Sequence, residues 1–157
     1  MLPESLQSHE DAASLEAALP AAIVTGKYDR GELTLEIAPE EIVPVLRHFK
    51  TAGQYERLSA VTGVDRYPAE PRFEVVYHLH SVSRNARVRL KARVSGTNPE
   101  IDSVTPVYLS ANWYERETFD LFGIRFLNHP DLRRIMMPED WEGHPLRKDY
   151  PKTGQRL

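Results

Sequence analysis

Three residues of one predicted strand have the types and spacing of a metal site. His78 and His80 lie two residues apart on one face of the alternating segment 73–80, and Glu74 shares that face. Two histidines and a carboxylate are a common ligand set for zinc. Histidines are found more often on an ordinary solvated sheet face, so a metal-dependent hydrolase is only a minor hypothesis.

Two His-Pro pairs near the end of the chain could instead supply general acid–base catalysis. His129 and His144 each precede a proline. The neighbouring carboxylates are those of Asp131, Asp140 and Glu142. The sequence shows no glycine-flanked serine nucleophile and no phosphate-binding glycine loop. Because proline bars the preceding residue from the α region, a His-Pro pair is typical of an extended turn, and independent catalysis is the weaker interpretation.

The composition narrows the classes of function. The 157 residues include no cysteine, which excludes a disulfide framework, thiolate ligation of zinc or iron–sulfur clusters, and a cysteine nucleophile. The 20 basic and 23 acidic residues give a net charge of −3, which argues against a nucleic-acid-binding protein. No stretch approaches the ~20 apolar residues of a membrane span, and no signal-peptide pattern is present. We expect a soluble, cytoplasmic single domain.

A row of basic residues marks one face of the predicted strand 87–94. Four of them alternate with apolar residues, namely Arg87, Arg89, Lys91 and Arg93. Like charges about 7 Å apart along a strand need solvent or an opposite charge between them, and Glu74 is the predicted counter-ion. A nucleic-acid groove is the weaker alternative, because no aromatic residues are interleaved on that face.

Hydrophobic periodicity predicts regular elements over residues 1–123. Helical spacing favours helices near 12–19, 39–51 and 113–122, and alternation favours strands at 21–28, 33–37, 58–64, 73–80, 87–94 and, shorter, within 101–108. Asn112 and Glu115 resemble a capping box, and Gly123 lies where a left-handed C-cap would fall. The order of elements indicates a two-layer α+β domain, with helices on one face of a mainly antiparallel or mixed sheet.

The last part of the chain, residues 124–157, differs from the rest. Prolines recur, the apolar residues follow neither the period of a strand nor that of a helix, and no regular element can be drawn. A segment of this kind cannot satisfy its backbone or bury its side chains alone. Disordered tails are seldom so rich in large apolar residues, whereas bulky anchors interleaved with arginine are typical of interfaces. We therefore expect an extended, irregular C-terminal arm that docks on partner proteins.

Five blocks of the sequence form a recognisable signature. The longest is NWYERETFDLFGI at residues 112–124, followed by HPDLRRI at 129–135 and EGHPLRKDYP at 142–151. TGVD at 62–65 and FEVVYHL at 73–79 precede them. Together these blocks closely resemble the 30 kDa subunit family of respiratory complex I, which includes the corresponding subunit of bacterial NADH-quinone oxidoreductase. The number and spacing of the blocks make this likeness highly specific.

The resemblance implies a scaffold subunit in the hydrophilic arm of a proton-translocating NADH:quinone oxidoreductase. The chain itself would bind no cofactor or metal and have no catalytic residue, whereas the complex would use NADH, FMN, iron–sulfur clusters and a quinone. The chain would pack against the 49 kDa-type subunit and against neighbouring iron–sulfur subunits. It would reach the membrane only through the complex, on the cytoplasmic side of the bacterial inner membrane.

The residues that we expect to contact partner subunits belong to the last helix and the arm. They are Glu115, Arg116, Glu117, Asp120, His129, Arg133, Arg134, Trp141, His144, Arg147, Lys148 and Tyr150. The helix charges would position the helix and form ion pairs between subunits. The basic residues of the arm would make charge-assisted hydrogen bonds, and Trp141 and Tyr150 would be apolar anchors.

Two features of the sequence bear on the kind of complex. No transit peptide precedes the chain and no 49 kDa-type subunit is fused to it, which favours a stand-alone bacterial subunit. The equivalent subunit of a membrane-bound hydrogenase or of a ferredoxin-dependent complex is the principal alternative within the same superfamily.

Overall fold

The computed structural model describes residue 3 and residues 6–153. Its elements in chain order are α1 (Glu10–Ala18), β1 (Ile23–Asp29), β2 (Glu32–Ile37), a 3-10 turn (Pro39–Glu41), α2 (Ile42–Thr51), β3 (Arg57–Asp65), β4 (Phe73–Ser81), β5 (Ala86–Val94), β6 (Glu100–Asp102), α3 (Ala111–Phe122) and β7 (Arg125–Leu127). None of the helices within these residues has both the length and the apolar character needed to cross a bilayer.

Five strands form one mixed sheet in the order β1-β2-β5-β4-β3. Neighbouring strands are antiparallel except β2 and β5, which run parallel. The β4–β5 hairpin keeps one register throughout, with Tyr77 opposite Leu90 and His78 opposite Arg89. A separate parallel pair is formed by β6 and β7.

Apolar alternation decides which face of the sheet is covered by helices. Leu35, Tyr77 and Leu90 lie on adjacent strands, have no solvent exposure and share one core with the helices. Gly63 of β3 lets α3 approach closely, because a Cβ at this position would lie 2.8 Å from the ring of Phe122. The opposite face, called the outer face below, carries the polar side chains of the alternating strands.

The predicted α+β class is confirmed, with a mainly antiparallel but mixed sheet. The predicted strand 87–94 differs from β5 by one residue, and Gly123 ends α3 with φ +73°, as a left-handed C-cap requires. Glu74 is also the counter-ion of the basic strand, since its carboxylate lies 3.0 Å from Nζ of Lys91 and 4.0 Å from Nε of Arg93.

The predicted capping box is wrong. α3 begins at Ala111, after Ser110, and no side chain caps its first turn. Glu115 points into the protein instead, because hydrogen-bond donors of the preceding loop surround its carboxylate there.

The prediction that no regular element follows residue 123 is also wrong at the beginning of that segment. Ile124 and Phe126 are buried, and β7 pairs with β6. Of the strand predicted within 101–108, only residues 101 and 102 belong to a strand, as part of β6. Strands this short give no detectable alternation, so the sequence pattern could not reveal the pair.

Candidate subunit interface

Two carboxylates of α3 are completely buried, although the helix also carries exposed residues. Glu115 and Asp120 have no solvent exposure, whereas Trp113 and Glu117 are exposed. A buried carboxylate needs hydrogen-bond donors or cations around it, because desolvation of an unpaired charge is costly. The donors around each of the two acids therefore identify the segments that α3 holds in place.

Glu115 holds the loop that precedes α3. Its Oε1 accepts a 2.7 Å hydrogen bond from the amide of Val104, and its Oε2 accepts a 2.6 Å bond from the hydroxyl of Ser103. Burial raises the pKa of Glu115 to about 7, although both hydrogen bonds favour the charged form. Glu115 therefore changes its protonation state near neutral pH.

His129 fixes the start of the arm to the same helix. Its Nδ1 accepts a 3.0 Å hydrogen bond from the amide of Asp131, so Nε2 carries the proton and donates to the carbonyl of Asn112 at 3.2 Å. Nε2 also lies 3.8 Å from Oε2 of Glu115, and both side chains are fully buried. Burial lowers the pKa of His129, which favours the neutral imidazole that this hydrogen-bond pattern requires.

Asp120 is the second buried anchor, and it holds the middle of the arm. Its Oδ2 accepts hydrogen bonds from three consecutive amides, those of Ile135, Met136 and Met137, at 3.1, 2.7 and 2.9 Å. Its Oδ1 lies 3.3 Å from Nε of Arg134. Charge-assisted hydrogen bonds are roughly twice as strong as neutral ones, so this single carboxylate organises the turn at residues 134–137.

Arg134 extends this organisation to the next part of the arm. Its Nη1 donates to the carbonyl of Trp141 at 2.6 Å, and its Nη2 donates to the carbonyl of Gly143 at 2.7 Å. The side chain is only 12% exposed. The fixed fork of the guanidinium thus satisfies backbone acceptors that no helix or strand pairs.

The C-terminal end of α3 receives the following part of the arm. The carbonyl of Asp120 accepts a 2.9 Å hydrogen bond from Nδ1 of His144, and the carbonyl of Phe122 accepts a 2.6 Å bond from Nε of Arg147. At Gly123 a Cβ would lie 2.5 Å from the ring of His144 and 2.6 Å from Nη2 of Arg147. Glycine is therefore needed here both for the left-handed backbone and for the close approach of the arm.

A network at Asp65 ties the end of the arm to the sheet. Arg72 donates to the Asp65 carboxylate through Nε at 2.9 Å and Nη2 at 2.8 Å, and to the Asp149 carboxylate at 3.0 and 2.6 Å. Asp65 also accepts the amide of Lys148 at 2.8 Å. The hydrogen bonds from Arg72 hold the pKa of Asp65 well below its usual range.

A smaller set of side chains is exposed on α3, the loop before it and the arm. Its apolar members are Leu109, Trp113, Met136, Trp141 and Leu146. Arg116 lies over the ring of Trp113 at 4.8 Å and donates to the carbonyl of Arg133 at 3.1 Å. Arg133 is 65% exposed and pairs with Asp131. We call Trp113, Met136, Leu146 and Arg133 the exposed arm surface.

The structure brings the predicted contact residues together, but most of them have partners within the chain. The residues whose side chains form hydrogen bonds with other residues of the chain are Glu115, Arg116, Asp120, His129, Arg133, Arg134, Trp141, His144, Arg147 and Tyr150. Lys148 contributes its amide, and Glu117 is exposed. Contacts of these residues with another subunit stay a prediction.

Sequence reasoning missed Asp65, Arg72 and Asp149 as a unit. Asp65 belongs to the TGVD block and Asp149 to the EGHPLRKDYP block, so both stood within recognised motifs. No periodic pattern connects residues so far apart in the chain, because their contact is a side-chain network rather than an element.

The residues proposed for a metal site are not assembled into one. The carboxylate of Glu74 lies 3.0 Å from Nζ of Lys91 and 3.2 Å from Nη2 of Arg66. Within residues 6–153 and residue 3, no three histidine, cysteine or acidic residues are arranged to hold a metal ion. The carboxylate that a metal ion at His78 and His80 would need is therefore already paired with two basic side chains.

The fold and the site together define an α+β domain whose irregular arm is anchored on its last helix by buried carboxylates. A family model described as respiratory-chain NADH dehydrogenase, 30 Kd subunit, matches residues 35–156. The chain belongs to this 30 kDa subunit family, as its sequence blocks indicated.

Curated proteins of the same kind are similar over most of the chain. The C-type subunit of the NADH-quinone oxidoreductase of Roseiflexus castenholzii is 51% identical, with 92% of this chain and 84% of the relative covered. That of Geobacter sulfurreducens is 49% identical over 89% of this chain and 87% of the relative. The mitochondrial NADH-ubiquinone oxidoreductase 30.4 kDa subunit of Neurospora crassa is 46% identical, with 93% of this chain and 52% of the relative covered.

Two solved structures have a similar fold. A trypsin-resistant fragment of Nqo5 superposes with a TM-score of 0.67 at 30% identity, covering 78% of this chain and 98% of the fragment. A chain of the membrane-bound sulfane sulfur reductase, described as an archaeal respiratory membrane complex, superposes with a TM-score of 0.80 at 26% identity. The latter covers 93% of this chain and 86% of its own.

Proposed function

We propose that this chain is a scaffold subunit that supports electron transfer from NADH to quinone only through geometry. Its family makes it a subunit of complex I or of a related membrane-bound oxidoreductase. In this role it binds no redox group, and it keeps the quinone-site subunit and the iron–sulfur subunits in register. The complex as a whole uses NADH, FMN, iron–sulfur clusters and a quinone.

The observation that carries this proposal is the anchoring of the arm by Asp120. Three amides and one guanidinium converge on this buried carboxylate, so the arm keeps its shape on the chain's own helix. Met136 is 63% exposed although its amide is bonded to Asp120. An apolar side chain held outward on a fixed backbone is suited to bind a partner, because little backbone conformational entropy is lost on binding.

The partner of the exposed arm surface is, in this proposal, the 49 kDa-type subunit, with iron–sulfur subunits beside it. Tryptophan, tyrosine and arginine dominate the binding energy at interfaces, and methionine is enriched there. Trp113 with Arg116 stacked on it, and Met136 on the anchored turn, are of these types. The assembled chain lies on the cytoplasmic side of the bacterial inner membrane and reaches the membrane only through the complex.

Co-purification from native membranes tests this assignment. Met136→Lys places a charge in the exposed arm surface, and we expect it to reduce the amounts of the 49 kDa-type and iron–sulfur subunits recovered with the tagged chain. Val82→Lys is the matched control, because Val82 is 61% exposed, compared with 63% for Met136, and lies in the β4–β5 turn. Equal recovery of the other subunits with both variants would contradict the proposal.

A subunit of a membrane-bound hydrogenase or a ferredoxin-dependent complex is the second candidate. The high TM-score with the archaeal respiratory membrane complex favours it. Sequence identity is 26% in that comparison and 51% with a subunit of NADH-quinone oxidoreductase, which favours the first candidate. The masses of the co-purified subunits distinguish the two, since a hydrogenase or ferredoxin-dependent assembly lacks the NADH-binding subunits.

A further inference from the structure

A pocket on the outer face of the sheet contains the two histidines that form no metal site. The pocket has a volume of about 250 Å³ and spans strands β2, β3, β4 and β5. Its polar lining consists of Glu32, Ser59, His78, His80, Arg87 and Arg89. Leu33, Leu79 and Val88 are among its apolar neighbours. None of these residues belongs to α3 or the arm, so the pocket is separate from the site described above.

The charges around this pocket are mainly positive. The side chain of Arg87 makes no hydrogen bond or ion pair with any residue of the described part of the chain. Arg89 donates to the carboxylate of Glu32 at 2.7 Å and lies 3.4 Å from the hydroxyl of Thr34. One carboxylate therefore faces two guanidinium groups and two imidazoles. Burial and then the charge of Arg89 lower the pKa of His78, which is the effect that a positive environment has on a histidine.

His80 supplies a polar atom that lacks a partner. Its Nε2 is buried and forms no hydrogen bond within the described residues. A buried polar atom without a partner costs free energy, and such atoms are rare in folded proteins. A ligand that accepts a hydrogen bond from this nitrogen would remove that cost.

We propose that this pocket binds an oxyanion, either a phosphate or a carboxylate group. The guanidinium of Arg87 offers a two-pronged donor that matches both groups. His80 offers Nε2, which has no hydrogen-bond partner. Arg89 can bond to the ligand in place of Glu32, whose side chain is 52% exposed and can move into solvent. A metal cation is disfavoured at the same place by the two arginines. The proposal does not depend on the assignment of the chain to a particular complex.

The ligand can come from two sources that share this chemistry. One is a small anion in solution that carries a phosphate group. The other is the carboxylate of an acidic side chain on a neighbouring subunit, which would place a second contact on the outer face of the sheet.

Titration of the full chain with inorganic phosphate and with acetate, at constant ionic strength, tests the proposal. We expect saturable shifts of the His78 and His80 ring signals in NMR spectra. Arg87→Gln removes a charge without breaking any hydrogen bond or ion pair within the chain. It should weaken anion binding by about tenfold, as expected for the loss of one charged hydrogen bond. Arg47→Gln is the matched control, because Arg47 is exposed on α2 in the helical layer, and binding should be unchanged.

The possible outcomes distinguish the two sources of the ligand from each other and from the absence of a binding site. Phosphate binding that is retained when the chain is assembled in its complex identifies a phosphate group in solution as the ligand. Anion binding that the isolated chain shows, and that is lost when the chain is assembled in its complex, identifies a neighbouring carboxylate. Shifts that rise linearly with anion concentration, or that are the same in Arg87→Gln and the wild type, overturn the proposal.

Discussion

The sheet and the arm of this chain reach a defined structure by different means. The sheet is held by backbone ladders and by an apolar face on which residues such as Tyr77 and Leu90 are fully buried. The arm is held by side chains, chiefly the carboxylates of Asp120 and Asp65, that accept its backbone amides. Stability is therefore distributed over many contacts in the sheet and concentrated in a few ionised groups in the arm. Single substitutions should release the arm while the sheet stays folded.

Of the substitutions considered, Asp120→Ala should destabilise the arm most while leaving the sheet folded. It removes the acceptor of three amides and leaves Arg134 partly buried without its carboxylate. Breaking a buried ion pair costs about 3–5 kcal/mol, and we expect the free energy of unfolding to fall within that range. Hydrogen exchange of the amides at 133–150 should accelerate far more than that of β4 and β5.

The matched control for this prediction is Glu117→Ala on the same helix. Glu117 is exposed, so its removal should leave both the exchange of the arm and the free energy of unfolding near the wild-type values. If the arm amides of Asp120→Ala were as protected as those of the wild type, the carboxylate would not be the anchor that the structure indicates.

Two glycines separate the cost of a left-handed backbone from the cost of crowding by the arm. Gly31 has φ +81° with open space around it, whereas Gly123 has φ +73° with His144 and Arg147 against it. Gly31→Ala should lower the free energy of unfolding by about 1 kcal/mol, the usual cost of a positive φ. Gly123→Ala should cost about 1–3 kcal/mol more, because the arm must also shift. Equal losses in urea unfolding would mean that the arm does not press on this position.

The same contrast explains what could be predicted from the sequence. Continuous alternation predicts β5 within one residue, and Gly123 is predictable because a left-handed cap favours glycine. The inward turn of Glu115 and the role of Asp120 leave no periodic trace, since their partners are backbone amides of irregular segments. The family blocks mark these acids as part of a signature, and the structure adds their contacts within the chain, while contacts of these residues with another subunit stay a prediction.

The pH dependence of stability tests the buried state of Glu115. Its pKa is raised from 4.5 to about 7 in the folded protein, so the folded state binds more protons between these values than the unfolded state. The contribution of Glu115 is therefore complete below about pH 4.5 and is lost as the pH rises through 7, with a total of up to about 3 kcal/mol. Glu115→Gln should remove this decrease in the free energy of unfolding with rising pH.

Two histidines of the arm also affect stability in this pH range, but their contribution changes with pH in the opposite direction to that of Glu115. Burial lowers the pKa values of His129 and His144, so their contributions are present at high pH and are lost as the pH falls. The measurement is therefore the difference between wild type and Glu115→Gln in free energy of unfolding, taken from pH 4.5 to 8. A difference that does not vary with pH would show that Glu115 is not protonated on folding.

Arg133→Ala should have the smallest effect on the isolated chain, and it tests the arm as a docking surface. The side chains of Arg133 and its partner Asp131 are 65% and 45% exposed, so we expect the melting temperature to be unchanged. Recovery of the other subunits with the tagged chain from membranes should nevertheless fall, because an exposed arginine on a fixed backbone is available to a partner. Arg125→Ala is the control. Arg125 is 62% exposed and also pairs with one acid, Glu100, whose side chain is 36% exposed, but it lies on β7. Normal assembly of the Arg133→Ala complex with altered turnover alone would instead assign this residue to the chemistry of the complex.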